Sequence, residues 1–103
     1  MRTARFSVTA NDQFNELLAY GAEKYGPDFA DAKKALVYNT IKQTLIHFPA
    51  LKPIDENTGL RFYPISNTPF VVIYDFDDTE LRIHFIMHTR ADLNDLDPAT
   101  VEW

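Results

Sequence analysis

The sequence predicts an α+β domain in which an antiparallel sheet packs against an antiparallel hairpin of two helices. The 103 residues are 46% hydrophobic and 14% aromatic, which suits a single globular domain. Apolar residues recur at helical spacing over residues 9–48, with one break, and with a period of two over residues 60–87. The expected order is β-α-α-β-β-β, with an N-terminal strand and a C-terminal three-strand meander in the sheet.

The first half of the chain is predicted to hold one strand and two helices. Residues 5–8 alternate polar and apolar side chains, as a short strand does. The first helix is expected from a capping signal at Thr9 to Tyr25. Its apolar face is predicted to hold Phe14, Leu17, Leu18, Gly21, Ala22 and Tyr25. Gly26 then suits a helix C-terminus, and Pro27 suits the first turn of the next helix, which should end before Pro49. One face of this second helix carries apolar residues, including Ala30, Val37, Ile41, Leu45 and Phe48.

Three strands are predicted in the second half, over residues 60–65, 70–76 and 81–87. The connections between them are so short that neighbouring strands must run antiparallel. The continuously apolar run 70–76 is typical of a central strand. In the last strand, alternation places four side chains on the face toward the helices: Leu81, Ile83, Phe85 and Met87. It places four others on the opposite face: Arg82, His84, Ile86 and His88.

Charge and composition exclude several classes of protein. Residues 1–48 hold six Lys and Arg against five acids, and residues 49–103 hold four against ten, so the net charge is −5. A nucleic-acid binder usually shows the reverse balance, so no direct nucleic-acid contact is expected. The absence of cysteine excludes disulfides and thiolate metal sites. No apolar run approaches the roughly 20 residues that cross a membrane, and the N-terminus shows no secretory signal, so we expect a cytoplasmic protein with no membrane partner.

Three stretches, taken together, resemble the RelE/ParE superfamily of bacterial toxins from type II toxin–antitoxin systems. They are Phe48-Pro49, residues 59–61 followed by 69–74, and residues 83–93. The end of the last stretch, residues 88–93, looks like the superfamily's closing strand. The likeness spans residues 4 to 93. It implies a growth-inhibiting toxin that a cognate antitoxin protein neutralises in a hetero-oligomer. We expect the antitoxin to lie along the helix hairpin and a sheet edge, since open edges are common sites of strand addition.

The resemblance is greater to the ParE-like branch than to the RelE-like branch. RelE-like toxins cut messenger RNA on the ribosome with a cluster of Lys and Arg, one of which lies about three residues before a strand tyrosine. Val71 takes that place here, and no basic residue lies between Arg61 and Arg82. The ParE-like branch implies protein binding without catalysis, with DNA gyrase as the target. The alternatives are a RelE-type ribosome-dependent endoribonuclease and a non-toxic, degenerate member that acts as an interaction partner.

Four residues are predicted to contact a partner: Arg61, Tyr74, Arg90 and Trp103. If the chain were a nuclease, its catalytic candidates would be Arg61, His88 and Arg90, because Arg binds oxyanions and His titrates near neutral pH. Each residue also has a structural interpretation. Arg61 and Arg90 could pair with nearby acids, Tyr74 could pack in the sheet, and Trp103 could staple the tail to the body.

No metal or cofactor is expected. His84 and His88 would lie about 13 Å apart along one face of a strand, which is too far to chelate one ion. No glycine-rich phosphate loop is present, and Ser7 and Ser66 lack a nearby His–acid pattern that would indicate a hydrolase triad.

The whole chain, residues 1–103, is expected to be one domain with an acidic tail over residues 92–103. The apolar residues of the tail are Leu93, Leu96, Val101 and Trp103. They are too few to order twelve residues alone, because fixing each backbone unit costs about 1–2 kcal/mol. Either the body or a partner must hold the tail, and we expect it to matter for partner choice more than for folding.

Overall fold

The elements follow the order that the sequence predicts. In the computed structural model, which describes residues 2–103, the strands and helices are β1 (Thr3–Phe6), α1 (Val8–Tyr25), α2 (Pro27–Thr40), β2 (Arg61–Pro64), β3 (Phe70–Phe76) and β4 (Glu80–His88). A π-helical turn, Ile41–Leu45, extends α2, and a 3-10 turn, Pro98–Thr100, lies in the tail. The predicted α+β class is therefore confirmed.

The four strands form one mixed sheet in the order β1-β4-β3-β2. The C-terminal meander is antiparallel, as expected. β1 instead runs parallel to β4, so the expectation of a wholly antiparallel sheet is wrong. The physical reason is that short turns dictate the direction of β2, β3 and β4, whereas two helices separate β1 from the other strands and leave its direction open.

Helix α1 begins one residue after its cap, Ser7, and not at the predicted Thr9. The Ser7 hydroxyl accepts a hydrogen bond from the Ala10 N–H at 2.8 Å, which satisfies a donor of the first turn. β1 accordingly ends at Phe6, two residues earlier than predicted. At the other end Gly26 adopts φ 93°, a conformation that a side chain disfavours, and α2 starts at once with Pro27.

The π-helical turn changes which residues of α2 reach the core. Ile41 and Leu45 are buried as predicted, and Ile46 donates its N–H to Ile41 O at 3.0 Å. A π turn contains more residues than an α turn, so the positions after it rotate away from the predicted apolar face. Phe48, predicted on that face, is 62% exposed.

The sheet has two covered faces. The helix-covered face packs under α1 and α2, where the rings of Phe14, Tyr38 and Phe70 make edge-to-face contacts at 5.7 and 5.8 Å. The tail-covered face packs under the C-terminal tail. It holds buried Leu60, Val71, Ile73 and Phe85, with Phe62, Met87, Leu93, Leu96 and Val101 packed against them.

A β-bulge at His84 determines on which face of the sheet the side chains at the end of β4 lie. Ile73 pairs with Phe85 while Tyr74 pairs with Ile83, so His84 is an extra residue. Ile83 lies on the helix-covered face, whereas Phe85 and Met87 lie on the tail-covered face. The prediction that Phe85 and Met87 face the helices is therefore wrong.

The acidic tail folds back over the body. Val8 donates its N–H to Glu102 O at 2.8 Å, and Glu102 donates its N–H to Thr9 Oγ1 at 3.0 Å. The end of the chain therefore caps the start of α1. Trp103 packs edge-to-face on His84 at 4.8 Å, so the body holds the tail and Trp103 staples it.

Candidate functional site

The predicted partner-binding residues lie in four separate places. Tyr74 is fully buried and donates its hydroxyl to Pro49 O at 2.6 Å, and burial raises the pKa of that hydroxyl. Its side chain is a core element that fixes the loop after α2, so direct contact with a partner is not expected of it. Trp103 lies on the tail, Arg61 at the start of edge strand β2, and Arg90 just after β4.

Arg90 and His88 lie together in an open groove between α1 and the ends of β3 and β4. We call it the aromatic groove. It is lined by Leu17, Tyr20, Gly21, Tyr25, Phe29, Pro69, Phe70, His88, Thr89 and Arg90. The His88 ring accepts a hydrogen bond at Nδ1 from the Arg90 backbone N–H at 3.1 Å. His88 reaches the helix side because of the bulge at His84, so the predicted placement of His84 and His88 on one face is wrong.

The aromatic groove combines exposed rings with cations. Tyr20 is 58% and Tyr25 65% exposed, although the Tyr25 ring lies 4.8 Å from that of Phe29, and exposed rings of this size in one groove are typical of an interaction site. Lys24 lies over the Tyr20 ring at 5.3 Å, and the Tyr20 hydroxyl raises the pKa of Lys24. Lys33 lies over the Phe29 ring at 5.1 Å. Such a surface suits an apolar segment with acidic flanks.

Sequence reasoning identified Arg90 and His88 but missed the aromatic side of this groove. Tyr25 was predicted on the apolar face of α1, and Tyr20 was not singled out. The available signal was that Tyr20 falls outside the helical apolar stripe, where a large ring has no core to enter. Gly21 was predicted on that stripe, and a Cβ there would lie 3.2 Å from the Phe29 ring, so the helices approach closely.

The tail-covered face offers no chemistry for a phosphate along its middle. Val71, at the position of the RelE-type arginine, is 2% exposed among apolar side chains. Leu93, Leu96 and Val101 of the tail cover this surface. Stabilising charge on a reacting phosphoryl group needs positive groups or N–H donors directed at it. At the position of Val71 the described part of the chain has no cation and no open space in which a phosphate could lie.

A charged cluster occupies the end of the tail-covered face that the apolar layer leaves open. Arg82 binds Asp75 and Asp77 through N–O distances of 2.8 Å, and Glu80 at 3.3 Å. Burial alone would raise the pKa of Asp75, but hydrogen bonds from Arg82 and His84 outweigh it and lower that pKa. The bond from Arg82, with backbone N–H groups of Glu80 and Thr79, holds the pKa of Asp77 well below its usual value.

His84 lies beside this cluster but does not form a hydrolase triad. Its Nε2 lies 2.9 Å from Asp75 Oδ1 and must carry the proton, because a carboxylate only accepts. Ser7 donates its hydroxyl to the backbone O of His84 at 2.8 Å, not to the imidazole. Within residues 2–103, Nδ1 of His84 is buried without a hydrogen-bond partner. A nucleophilic Ser–His contact is therefore absent from the described chain.

Two other features, a metal centre and a membrane span, are absent from the described residues. Across residues 2–103, three or more His, Asp or Glu side chains do not converge as metal ligands would. Neither helix in that range has the combined length and apolarity required to cross a bilayer.

Comparison with known proteins identifies a matching family and a similar solved structure. Residues 4–93 match the family model described as ParE toxin of type II toxin–antitoxin system, parDE. A search of curated protein sequences finds no match. Among solved structures, the fold is similar to a chain of the chromosomal ParDE TA system from P. aeruginosa, with a TM-score of 0.72 and 17% sequence identity. That match covers 85% of this chain and 96% of the other.

Proposed function

Because the chain belongs to the ParE toxin family of type II toxin–antitoxin systems, we propose that it inhibits growth by binding a protein target, DNA gyrase, and that a cognate antitoxin neutralises it. In this proposal the protein works in the cytoplasm, where gyrase and newly made antitoxin both occur. It acts by occupying a surface and breaks no bond in its target.

The observation that carries this proposal is the apolar, tail-covered face of the sheet. A RelE-type nuclease needs cations at the position of Val71, and Val71 is instead buried under Leu93, Leu96 and Val101. Losing one charge-stabilising donor costs about 2.7–4 kcal/mol of transition-state stabilisation in the oxyanion-hole precedent. Placing a catalytic cation here would also require the tail to leave. Protein binding is therefore the better supported activity.

The antitoxin is proposed to occupy the aromatic groove and to reach a sheet edge. The groove presents Tyr20 and Tyr25, with Lys24, Lys33 and Arg90 available to acidic residues. Within residues 2–103, edge strand β1 has one unpaired side, and so has β2 beyond its bridge between Arg61 and Ile54, so an extended segment can add along either. Together these features fit a helix followed by a strand, bound as a hetero-oligomer.

The function is tested by inducing the chain in bacteria with and without the neighbouring antitoxin gene. We expect growth to stop without the antitoxin and to recover with it. Purified protein should block supercoiling by gyrase and leave messenger RNA on translating ribosomes intact. Messenger cleavage that Arg90→Ala abolishes would establish the endoribonuclease alternative. Unimpaired growth at confirmed expression would establish the degenerate, non-toxic alternative.

The position of the antitoxin is tested by the double variant Tyr20→Ala, Tyr25→Ala. We expect antitoxin affinity to fall on the order of 10–100-fold, because exposed aromatic residues in a groove are typical binding hot spots. Thermal stability should change little, since both rings are largely exposed. Asn39→Ala, at an exposed position of α2 outside the groove, is the matched control. Equal affinities for all three proteins, measured by calorimetry, would place the antitoxin elsewhere.

A further inference from the structure

We propose that Arg2 and Arg61, with the exposed side chains of Leu51 and Ile54, form a second protein-binding surface that takes an acidic, partly apolar segment of a partner. This surface lies at the starts of β1 and β2 and at the end of β3, away from the aromatic groove. The proposal goes beyond the toxin function above and does not depend on the identity of the target.

The two arginines converge on one ring. The Cζ atom of Arg2 lies 5.1 Å from the centroid of Phe76, and that of Arg61 lies 5.3 Å from it. Lys52 adds a third cation nearby, over the ring of Tyr63 at 5.8 Å. Like charges gathered in this way raise the local positive potential, which an incoming carboxylate relieves.

Backbone carbonyls hold both guanidinium groups in place without neutralising them. Arg2 donates from Nε to Asp77 O at 2.6 Å and from Nη1 to Ile46 O at 3.4 Å, and Arg61 donates from Nη1 to Lys52 O. Within residues 2–103, neither arginine has a carboxylate oxygen within 4.0 Å. Each guanidinium has five N–H donors, so most of theirs remain available for bidentate contact.

The nearby carboxylate that could have neutralised Arg2 is already engaged. Asp77 accepts hydrogen bonds from Arg82 at 2.8 Å and from the backbone N–H groups of Thr79 and Glu80 at 2.8 Å. Arg2 therefore binds only the backbone oxygen of Asp77, and its positive charge remains for a ligand.

Apolar side chains flank Arg61 on a loop that hydrogen bonds hold in place. Ile54 pairs with Arg61 through an isolated β-bridge, and Leu51 and Ile54 are each 56% exposed. The buried Tyr74 hydroxyl holds this loop through Pro49 O, and Asp55 closes its turn by accepting from the Thr58 N–H at 3.0 Å. A loop anchored in this way presents its apolar groups at little entropic cost on binding.

The charge of the chain favours an acidic protein segment over a nucleic acid as the occupant of this surface. Residues 49–103 carry ten acids against four Lys and Arg, and this field repels a long polyanion such as RNA or DNA. A short protein segment with one or two carboxylates beside apolar residues meets the arginines without bringing a phosphate chain into that field. It also covers Leu51 and Ile54, which a phosphate backbone would leave exposed.

The test uses the full chain and a fluorescent, end-capped eight-residue peptide in which two glutamates lie among leucines and serines. Arg2→Gln and Arg61→Gln should each weaken binding on the order of 10-fold, as loss of a hydrogen bond to a charged group does. Leu51→Ser together with Ile54→Ser should also weaken it. Lys34→Gln, which removes an exposed cation on α2, is the charge-matched control and should leave binding unchanged. Arg61→Lys keeps the charge and loses the fork, so it should bind with intermediate affinity even if Arg61→Gln fails to fold.

Three results would overturn the proposal. One is that no variant alters the affinity for the peptide, or that Lys34→Gln lowers this affinity as much as the arginine variants do. Another is equal binding of a peptide with glutamine in place of glutamate, which would show that carboxylates are not recognised. The third is tighter binding of a ten-nucleotide oligouridylate that the same arginine variants abolish, which would make the surface a nucleic-acid site.

Discussion

In β4, two successive side chains, His84 and Phe85, lie on the same face of the sheet. The bulge that causes this is held from the side by Ser7, which donates its N–H to Ile83 O at 3.0 Å and its hydroxyl to His84 O at 2.8 Å. Both carbonyls are thereby satisfied although the ladder is interrupted. The residue that caps α1 thus also stabilises the bulge that directs His88 into the aromatic groove.

The placement of Phe85 leads to a prediction about stability. Phe85→Ala should lower the free energy of unfolding by about 3–5 kcal/mol, because the ring is buried between the sheet and the tail and its removal leaves a cavity. Urea denaturation of both proteins measures the difference. Phe48→Ala, at a position 62% exposed, is the control and should fall within about 0.5 kcal/mol of wild type. A loss below about 1 kcal/mol for Phe85→Ala would contradict the assignment of Phe85 to a packed face.

Sequence reasoning identified which residues of β4 are buried more reliably than which face they occupy. Alternation along residues 81–87 is broken only by the apolar Ile86, and that break does not mark His84 as the extra residue. Both faces of the sheet are covered by apolar groups, and Phe85 and Met87 therefore find a core on either side. The bulge depends on Ser7, 77 residues away along the chain, and a local pattern does not contain that contact.

Among the elements, the tail is the one whose packing was least predictable from the sequence. It was expected to matter for partner choice more than for folding, and the structure shows it packed on the body. Val101 lies against the tail-covered face, Glu102 caps α1, and Trp103 contacts both His84 and Arg5. The sequence shows few apolar residues in this segment, but it does not show that they pack on an apolar face of the sheet.

Removing residues 101–103 should destabilise the fold. The expected loss in the free energy of unfolding is about 2–3 kcal/mol, from one helix cap and one partly buried valine. Thermal unfolding of the truncated protein gives the measurement. Glu102→Gln keeps the backbone cap and should match wild type within about 0.5 kcal/mol. A truncated protein with an unchanged melting temperature would support the original expectation that the tail matters for partner choice more than for folding.

Helix and strand identities were otherwise predictable from periodicity, because the spacing of apolar residues reports burial directly. Gly26-Pro27 marked the junction of α1 and α2 correctly, and the range of β3 was predicted without error. The π-helical turn and the parallel pairing of β1 were not predictable. Both arise from contacts between distant segments, and a local propensity carries no information about them.

At the scale of the whole molecule, three acidic residues, Asp75, Asp77 and Glu80, form ion pairs with one arginine, Arg82. The pKa values of Asp75 and Asp77 lie below those of an unfolded chain, so their ionised forms stabilise the fold. That stabilisation is fully present above the usual carboxyl pKa of 3.8 and is lost as the pH falls through the lowered values. The protein should therefore be acid-sensitive below about pH 4.

The acid sensitivity is tested with Arg82→Gln. This variant should be less stable than wild type near neutral pH, and its urea midpoint should fall less steeply between about pH 4 and pH 2, because its carboxyl groups have lost their main partner. Lys34→Gln should follow the wild-type curve, since Lys34 lies within 4.0 Å of no carboxylate in the described chain. Parallel curves for wild type and Arg82→Gln would show that other groups set the acid limit.

The pairing of early and late segments has a consequence for biosynthesis. β1 is made before β4, with which it pairs, and the N–H of Val8 in α1 waits for its acceptor, the carbonyl of Glu102. A nascent chain that stops short of β4 therefore lacks the strand that β1 pairs with, and one that stops short of Glu102 leaves the N–H of Val8 without this acceptor. Contacts of such long sequence separation form late, because the intervening chain must first close as a loop. The protein thus reaches its finished shape only after synthesis has passed β4 and Glu102, and a partner that binds the folded surface meets it no earlier than that.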